Sequence, residues 1–98
     1  MIEIPLKGGG ANAHQAFNIQ LGDSYVDITL NYVSYTDKPA WSMDISRDGA
    51  PLVSGAMLEP GCDVIQSYDA GIGKLIFTGA EVTLDNLGTD NHLVWVSE

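Results

Sequence analysis

Three residues carry side chains that are common in catalysis and metal binding: His14, Cys62 and His92. Catalysis needs a nucleophile beside a base, paired carboxylates or a metal cluster. The two histidines lie far apart in the sequence, and neither has a partner at a metal-ligand spacing. A single cysteine that follows Pro-Gly is typical of a small buried residue. We therefore predict no catalytic residue, no cofactor, no metal site and no enzymatic activity.

Two loops have compositions that also occur in ligand-binding loops. The glycine-rich segment 7–13 lacks the Gly-Lys-Ser/Thr ending and the strand-to-helix context of a phosphate-binding loop. The segment Asp-Asn-Leu-Gly-Thr-Asp at 85–90 resembles part of a calcium loop, but it lacks the full ligand set and the glutamate at the twelfth position. We expect Asp85 and Asn86 to form side-chain turns and Gly88 to adopt a left-handed conformation.

The charge of the chain restricts its partners. Thirteen acidic and four basic residues give a formal net charge of -9. Nucleic acids and anionic membranes both bind positively charged surfaces, so we expect neither as a partner. Tyr25 and Tyr35 lie on a predicted solvent-facing strand face, where aromatic rings can stack on sugars. A free-standing ligand- or glycan-binding β-barrel module is therefore the alternative function, and a basic protein is the partner that the charge favours.

Length and composition indicate one globular domain over residues 1–98. Apolar residues make up 45% of the chain, which is typical of a globular protein. The single cysteine rules out an intrachain disulfide and suits folding in a reducing cytoplasm. The N-terminal residues lack the basic and apolar regions of a signal peptide, and the apolar runs are too short for a membrane helix. We expect the protein to be made and folded in the cytosol.

A predicted hairpin in the middle of the chain organises the fold. Apolar and polar residues alternate from Trp41 to Ile45, which is typical of a half-buried strand. Asp48-Gly49 supplies the positive φ angles of a two-residue turn. That turn places Ile45 opposite Leu52 and Trp41 opposite Ala56. A three-residue turn with a bulge would shift the register by one residue.

The other segments predict further short strands. Residues 15–21 and 24–35 form a second hairpin around a type II′ turn at Gly22-Asp23, with Ile19 opposite Val26 and Phe17 opposite Ile28. Residues 2–6, 74–78 and 92–96 also alternate, and Pro5 places the first of these strands at a sheet edge. Residues 63–69 have the spacing of a short helix.

The fold class that follows is all-β: a small barrel or barrel-like sandwich of about six to seven antiparallel strands with one short helix near 63–69. Both faces of the last strand are fairly apolar, which predicts a central strand or one covered by a partner. The predicted core residues are Phe17, Ile19, Val26, Ile28, Trp41, Ile45, Leu52 and Phe77.

An ordered set of short phrases resembles the small baseplate plug proteins of contractile-tailed bacteriophages. The set spans nearly the whole chain and begins with Ile-Pro-Leu at 4–6. It continues with Asp-Gly-Ala-Pro-Leu at 48–52, Leu-Glu-Pro-Gly-Cys-Asp at 58–63, Gln-Ser-Tyr at 66–68, Gly-Ile-Gly-Lys-Leu at 71–75, Asp-Asn-Leu-Gly at 85–88 and His-Leu at 92–93. Cys62 and Asp69 depart from the family pattern, which has a more apolar residue and a basic residue at these positions.

This resemblance implies a structural protein of the virion tail baseplate that packs against hub, spike and tail proteins, with three copies per baseplate, no catalysis and no cofactor. We expect contacts through the 8–13 loop, which would order on docking, through the 85–91 loop and through the last strand. The candidate partner-binding residues are Gly8, Gly9, Gly10, Asn12, Asp85, Asn86, Leu87, Gly88, Asp90 and Trp95.

Overall fold

The computed structural model describes residues 2–33, 40–66 and 71–97, and these residues form eight β-strands and one 3-10 turn. The elements are β1 Ile2–Ile4, the 3-10 turn Gly10–Asn12, β2 His14–Leu21, β3 Ser24–Val33, β4 Ala40–Arg47, β5 Ala50–Met57, β6 Cys62–Asp63, β7 Lys74–Gly79 and β8 Asn91–Val96. The strands pair into two antiparallel four-stranded sheets, in the orders β1-β8-β7-β6 and β2-β3-β4-β5. In the described residues no strand pairing joins the two sheets, so they are not closed into a barrel. The all-β prediction is confirmed.

The β2–β3 hairpin has the predicted register. Ile19 pairs with Val26, and Phe17 pairs with Ile28. Gly22 has a φ of 62°, as the first central residue of a type II′ turn requires. Because this register places the apolar residues of both strands on one face, β2 and β3 contribute jointly to the core.

The β4–β5 hairpin confirms the predicted turn but corrects the register beyond it. Asp48 and Gly49 have φ angles of 53° and 80°, which fit a type I′ turn of two residues. The register then shifts between Ile45 and its neighbours, so that Ile45 pairs with Val53 and not with Leu52. The predicted pairing of Trp41 with Ala56 is also wrong, because Ala56 pairs with Met43.

A side-chain hydrogen bond accompanies this irregularity. The Oδ1 atom of Asp44 accepts a hydrogen bond of 2.7 Å from the main-chain N–H of Gly55. Gly55 has a φ of 74°, a conformation that interrupts regular pairing. The turn pair at 48–49 sets the register only for the first two residue pairs after the turn.

One hydrophobic core lies between the two sheets and contains residues of both. Leu93 and Trp95 of β8 are buried, whereas His92, Val94 and Val96 on its other face are half-buried. β8 lies between β1 and β7, so the prediction of a central strand is confirmed. β1 lies at the sheet edge, as Pro5 predicted.

Most of the predicted core is fully buried, but three residues are only partly buried. Phe17, Ile19 and Leu52 pack against the core and retain exposed surface. These residues belong to β2 and β5, the two edges of their sheet, which each have a neighbouring strand on one side only among the described residues. The fully buried members of the predicted set are Val26, Ile28, Trp41, Ile45 and Phe77.

The helix predicted near 63–69 is wrong at residues 63–65, where the structure has the end of a strand and a turn, whereas Gln66 has 3-10 conformation. Cys62 and Asp63 form β6, which pairs with β7. The Oδ1 atom of Asp63 accepts hydrogen bonds from the N–H groups of Ile65 and Leu75, at 3.2 and 3.1 Å. This carboxylate attaches the segment to β7 and favours a turn at 64–65 in place of a helix. Residues 67–69 lie outside the described residues.

Within the described ranges, no helix has the length and apolar character that crossing a membrane requires.

Candidate partner interface

The two predicted partner loops lie against each other. The N–H of Gly9 donates a hydrogen bond of 2.6 Å to the carbonyl oxygen of Leu84. Gly8 packs so closely that a Cβ atom there would lie 2.6 Å from the carbonyl oxygen of Asp85. Gly88 packs in the same way against the carbonyl of Leu6. We call the surface formed by residues 7–13 and 85–91 the loop face; it contains every predicted partner-binding residue except Trp95.

The first loop is held in place by Gln15 at the start of β2. Its Nε2 atom donates hydrogen bonds to the carbonyl oxygens of Lys7 and Asn12, at 2.7 and 2.9 Å, and its Oε1 atom accepts one from the N–H of Lys7 at 3.2 Å. The side chain of Asn12 donates to the carbonyl oxygen of Gly8 at 3.0 Å. We expected this loop to order on docking, but its main chain already has these internal partners in the isolated chain.

The second loop is organised around Asn86. Its Oδ1 atom accepts a hydrogen bond of 2.7 Å from the N–H of Thr83, and its Nδ2 atom donates one of 2.9 Å to the carbonyl oxygen of Glu81. Its carbonyl oxygen accepts from the N–H groups of Thr89 and Asp90. The Asn86 side chain therefore bonds to its own loop, but to residues that precede it and not to the residue two positions further on, as the predicted turn requires. The φ of Gly88, 81°, confirms the predicted left-handed conformation.

The side chain of Asn91 forms hydrogen bonds to this loop, a role that the sequence analysis did not predict. It is fully buried, with 0% of its surface exposed. Its Oδ1 atom accepts a hydrogen bond of 2.9 Å from the N–H of Gly88. Its Nδ2 atom donates to the carbonyl oxygen of Ala80 at 3.3 Å and to Oδ1 of Asn86 at 3.2 Å. An asparagine at the start of an apolar strand was the available signal, because a buried amide there needs partners in the preceding loop.

Leu87 and Trp95 face the interior of the chain. Leu87 is 1% exposed and Trp95 is 7% exposed. The indole N–H of Trp95 donates a hydrogen bond of 2.5 Å to the carbonyl oxygen of Ile72, and its ring lies beside Gly22. A partner cannot reach either side chain in this conformation. We therefore assign both to the core and keep the interface hypothesis for the exposed residues of the loop face.

The exposed charged groups of the loop face are mainly acidic. Asp85 and Asp90 are exposed, and Lys7 is the exposed base on the same surface. Glu81 is also exposed just before the second loop. The loop face therefore shares the acidic character of the chain as a whole, whose formal net charge is -9.

The residues with potential chemistry lie apart. His14 belongs to β2 and its Nδ1 atom bonds to Oδ1 of Asn31, whereas His92 belongs to the other sheet and its Nδ1 atom lies 2.8 Å from Oε2 of Glu3. The side chain of Cys62 lies outside the described residues. No group of three or more His, Cys, Asp or Glu side chains is placed to hold a metal ion in the part of the chain that the structure describes.

An open groove of about 270 Å³ lies along β2 and β3. Residues of β2 and β3 line it, with Ala16 and Asn18 on one side and Asp27 and Thr29 on the other. Tyr25 of β3, one of the two tyrosines predicted to face solvent, is 59% exposed. Tyr35 lies outside the described residues.

Comparison with known proteins identifies the family. No curated protein matches the chain. A family model described as "Cyanophage baseplate Pam3 plug gp18" matches residues 1–98, the whole chain. The match agrees with the resemblance carried by the short phrases and does not favour a free-standing glycan-binding module. The chain therefore belongs to the cyanophage baseplate plug family, a family of virion structural proteins.

Proposed function

We propose that the protein is the plug of a contractile-tail baseplate and packs against the central hub and spike proteins. The observation that carries the proposal is the family match over all 98 residues. The structure adds a candidate surface, because the glycine-rich loop contacts the loop that carries the family-like phrase at 85–88. The proposed role is structural, involves no catalysis or cofactor, and is performed by one domain spanning residues 1–98.

The loop face is the proposed docking surface. Its main chain is hydrogen-bonded internally through Gln15, Asn86 and Asn91, so the face is formed before a partner arrives. A surface that is ordered in advance loses less conformational entropy on association than a flexible loop does. This organisation favours docking as a rigid body.

The proposed partner surface is basic. The charge of -9 on the whole chain speeds encounter with a positively charged protein and slows encounter with an acidic one. Asp85 and Asp90 lie exposed on the loop face, where they would meet such a partner. The threefold symmetry of hubs and spikes of this kind leads us to propose three copies per baseplate.

The proposal is tested by charge reversal on the loop face. We expect Asp85→Lys and Asp90→Lys, alone and together, to slow association with the purified hub–spike complex and to flatten its salt dependence. The expected reduction in association rate is about threefold to tenfold at low salt, since exposed charges act mainly on the encounter. Binding kinetics at low and high salt provide the measurement.

The matched control is Asp23→Lys, which makes the same charge change outside the loop face. Asp23 is exposed in the β2–β3 turn, beside the Trp95 ring near the C-terminal end of β8. This variant should associate more nearly like the unmodified protein. An association rate that changes neither with salt nor with the loop-face substitutions would contradict the proposed surface. A baseplate structure in which the loop face is exposed to solvent would also contradict the proposed surface.

A further inference from the structure

Strand β2 is an open edge of its sheet. The two-residue turn makes Leu21 and Ser24 a hydrogen-bonded pair, and such pairs alternate along the hairpin. The N–H and C=O groups of Ala16, Asn18 and Gln20 consequently point away from β3. Within the described residues, these outward main-chain groups form no hydrogen bond. β2 thus presents a row of unpaired donors and acceptors, which is the template for another strand.

The other long edge of this sheet is protected, and β2 is not. β5 contains Pro51, the left-handed Gly55 and two register shifts, all of which discourage pairing with a foreign strand. β2, with the sequence His-Gln-Ala-Phe-Asn-Ile-Gln-Leu, has no proline, no Lys, Asp or Glu, and pairs with β3 without interruption over all eight residues. An edge of this kind in a protein is either an aggregation hazard or a binding site.

The inner side of this edge is apolar. Phe17 and Ile19 pack against the core but retain exposed surface, because the described residues place no strand beyond β2. A strand added next to β2 would place every second side chain beside these two residues. Apolar side chains at those positions would bury this surface, so the inner side favours an apolar, alternating sequence.

The outer side of the edge favours a basic side chain. There the small side chain of Ala16 opens the groove of about 270 Å³, and the exposed Asp27 lines it. Neighbouring strands lie about 4.8 Å apart, so an added strand would run roughly 10 Å from β3. A Lys or Arg side chain, extended over Ala16 toward the carboxylate of Asp27, spans this separation. Neither β2 nor β3 contains a Lys or Arg that would compete for that carboxylate.

We propose that β2 binds an extended segment of a partner protein by strand addition, with apolar residues facing Phe17 and Ile19 and one Lys or Arg facing Asp27. Main-chain hydrogen bonds supply the attachment, and the groove supplies the selectivity. The partner is a different protein, because two copies that each carry a charge of -9 repel one another. This site uses none of the residues of the loop face and does not depend on the proposed baseplate contacts.

A synthetic peptide tests the site directly. The probe is a capped heptapeptide, Val-Thr-Val-Arg-Val-Thr-Val, titrated into the isotopically labelled full chain and followed by NMR. We expect shifts and slowed hydrogen exchange at the amides of Ala16, Asn18 and Gln20. The same peptide with Glu in place of Arg should bind about two- to fivefold more weakly, the range of an exposed ion pair.

Two pairs of variants separate strand addition from other binding. Asn18→Pro removes one outward N–H without removing a bond to β3 and should abolish peptide binding, whereas Asn18→Ala keeps that N–H and should bind. Asp27→Asn should erase the preference for Arg over Glu, whereas Glu81→Gln, which removes an exposed charge from the segment that follows β7 in the other sheet, should retain it. Thermal unfolding verifies that each variant is folded.

Three results would overturn the proposal. The first is the absence of peptide-dependent change at β2, and the second is equal binding by folded Asn18→Pro and Asn18→Ala. The third is a concentration-dependent dimer, detected by sedimentation, in which the β2 amides are protected without peptide; that result would assign the edge to a second copy of the chain.

Discussion

Replacing Asn91 with alanine should destabilise the protein substantially, although the change removes no apolar surface. Asn91 is fully buried, and its side-chain amide makes three hydrogen bonds, to the main chain of Gly88 and Ala80 and to the side chain of Asn86. Alanine at this position removes the hydrogen bond to each of these three partners. The substitution therefore tests whether one buried amide holds the second loop of the loop face.

The expected magnitude follows from the number of bonds. A hydrogen bond contributes about 1 kcal/mol net, and an unsatisfied buried donor costs about 1–3 kcal/mol. Three lost bonds, one of them to the half-buried N–H of Gly88, predict a loss of about 3 kcal/mol in the free energy of unfolding. Since a domain of this size has about 5–15 kcal/mol in total, the protein should still fold but melt roughly 12–24 °C lower.

Chemical denaturation followed by tryptophan fluorescence measures this effect, because Trp41 and Trp95 are both buried in the folded chain. Thr89→Ala is the matched control: Thr89 lies in the same loop, its side chain is exposed, and its main-chain N–H bond to Asn86 is retained. The control should change stability by less than about 0.5 kcal/mol. Equal stability of Asn91→Ala and the unmodified protein, or an equal loss in Thr89→Ala, would refute the reasoning.

The remaining predictions concern core and surface positions. Trp95→Ala should destabilise the chain by about 3–5 kcal/mol, measured by denaturant unfolding, because the ring is buried and its N–H bonds to Ile72; a stable variant with impaired assembly would show that Trp95 serves a partner instead. Phe17→Ala should cost less, about 1–2 kcal/mol, because Phe17 is only partly buried. The triple replacement of His14, Cys62 and His92 by Gln, Ala and Gln should leave baseplate assembly intact in a complementation assay, and loss of function without unfolding would reopen a catalytic or metal-binding role.

Local patterns in the sequence were sufficient for the hairpins. The β2–β3 register follows from alternating apolar residues and a Gly-Asp turn, both of which act over a few neighbouring residues. The β4–β5 register was predicted correctly only near the turn. Beyond it, the hydrogen bond between Asp44 and Gly55 accompanies a bulge, and a pattern of period two carries no signal for an inserted residue.

The candidate site was predicted in its parts but not in its assembly. The segments 8–13 and 85–91 were selected by composition and family resemblance, and nothing local indicates that they touch. Their contact depends on the pairing of β1 with β8, which joins the two ends of the chain and brings Leu6 against Gly88. The role of Asn91 was missed for the same reason, because its partners become neighbours only when the loop folds back over β8.

The sequence by itself determined the all-β class, the two hairpin turns, the edge position of β1 and the family, because alternation, turn chemistry and ordered phrases are properties of neighbouring residues. Only the tertiary structure decided that Trp95 points inward onto Ile72 and that β2 ends its sheet with Phe17 half-exposed. Both outcomes depend on the order in which strands pair. That order is set by contacts between residues far apart in the chain. A two-residue period indicates which face of a strand is buried, but it does not indicate which strand lies next to it.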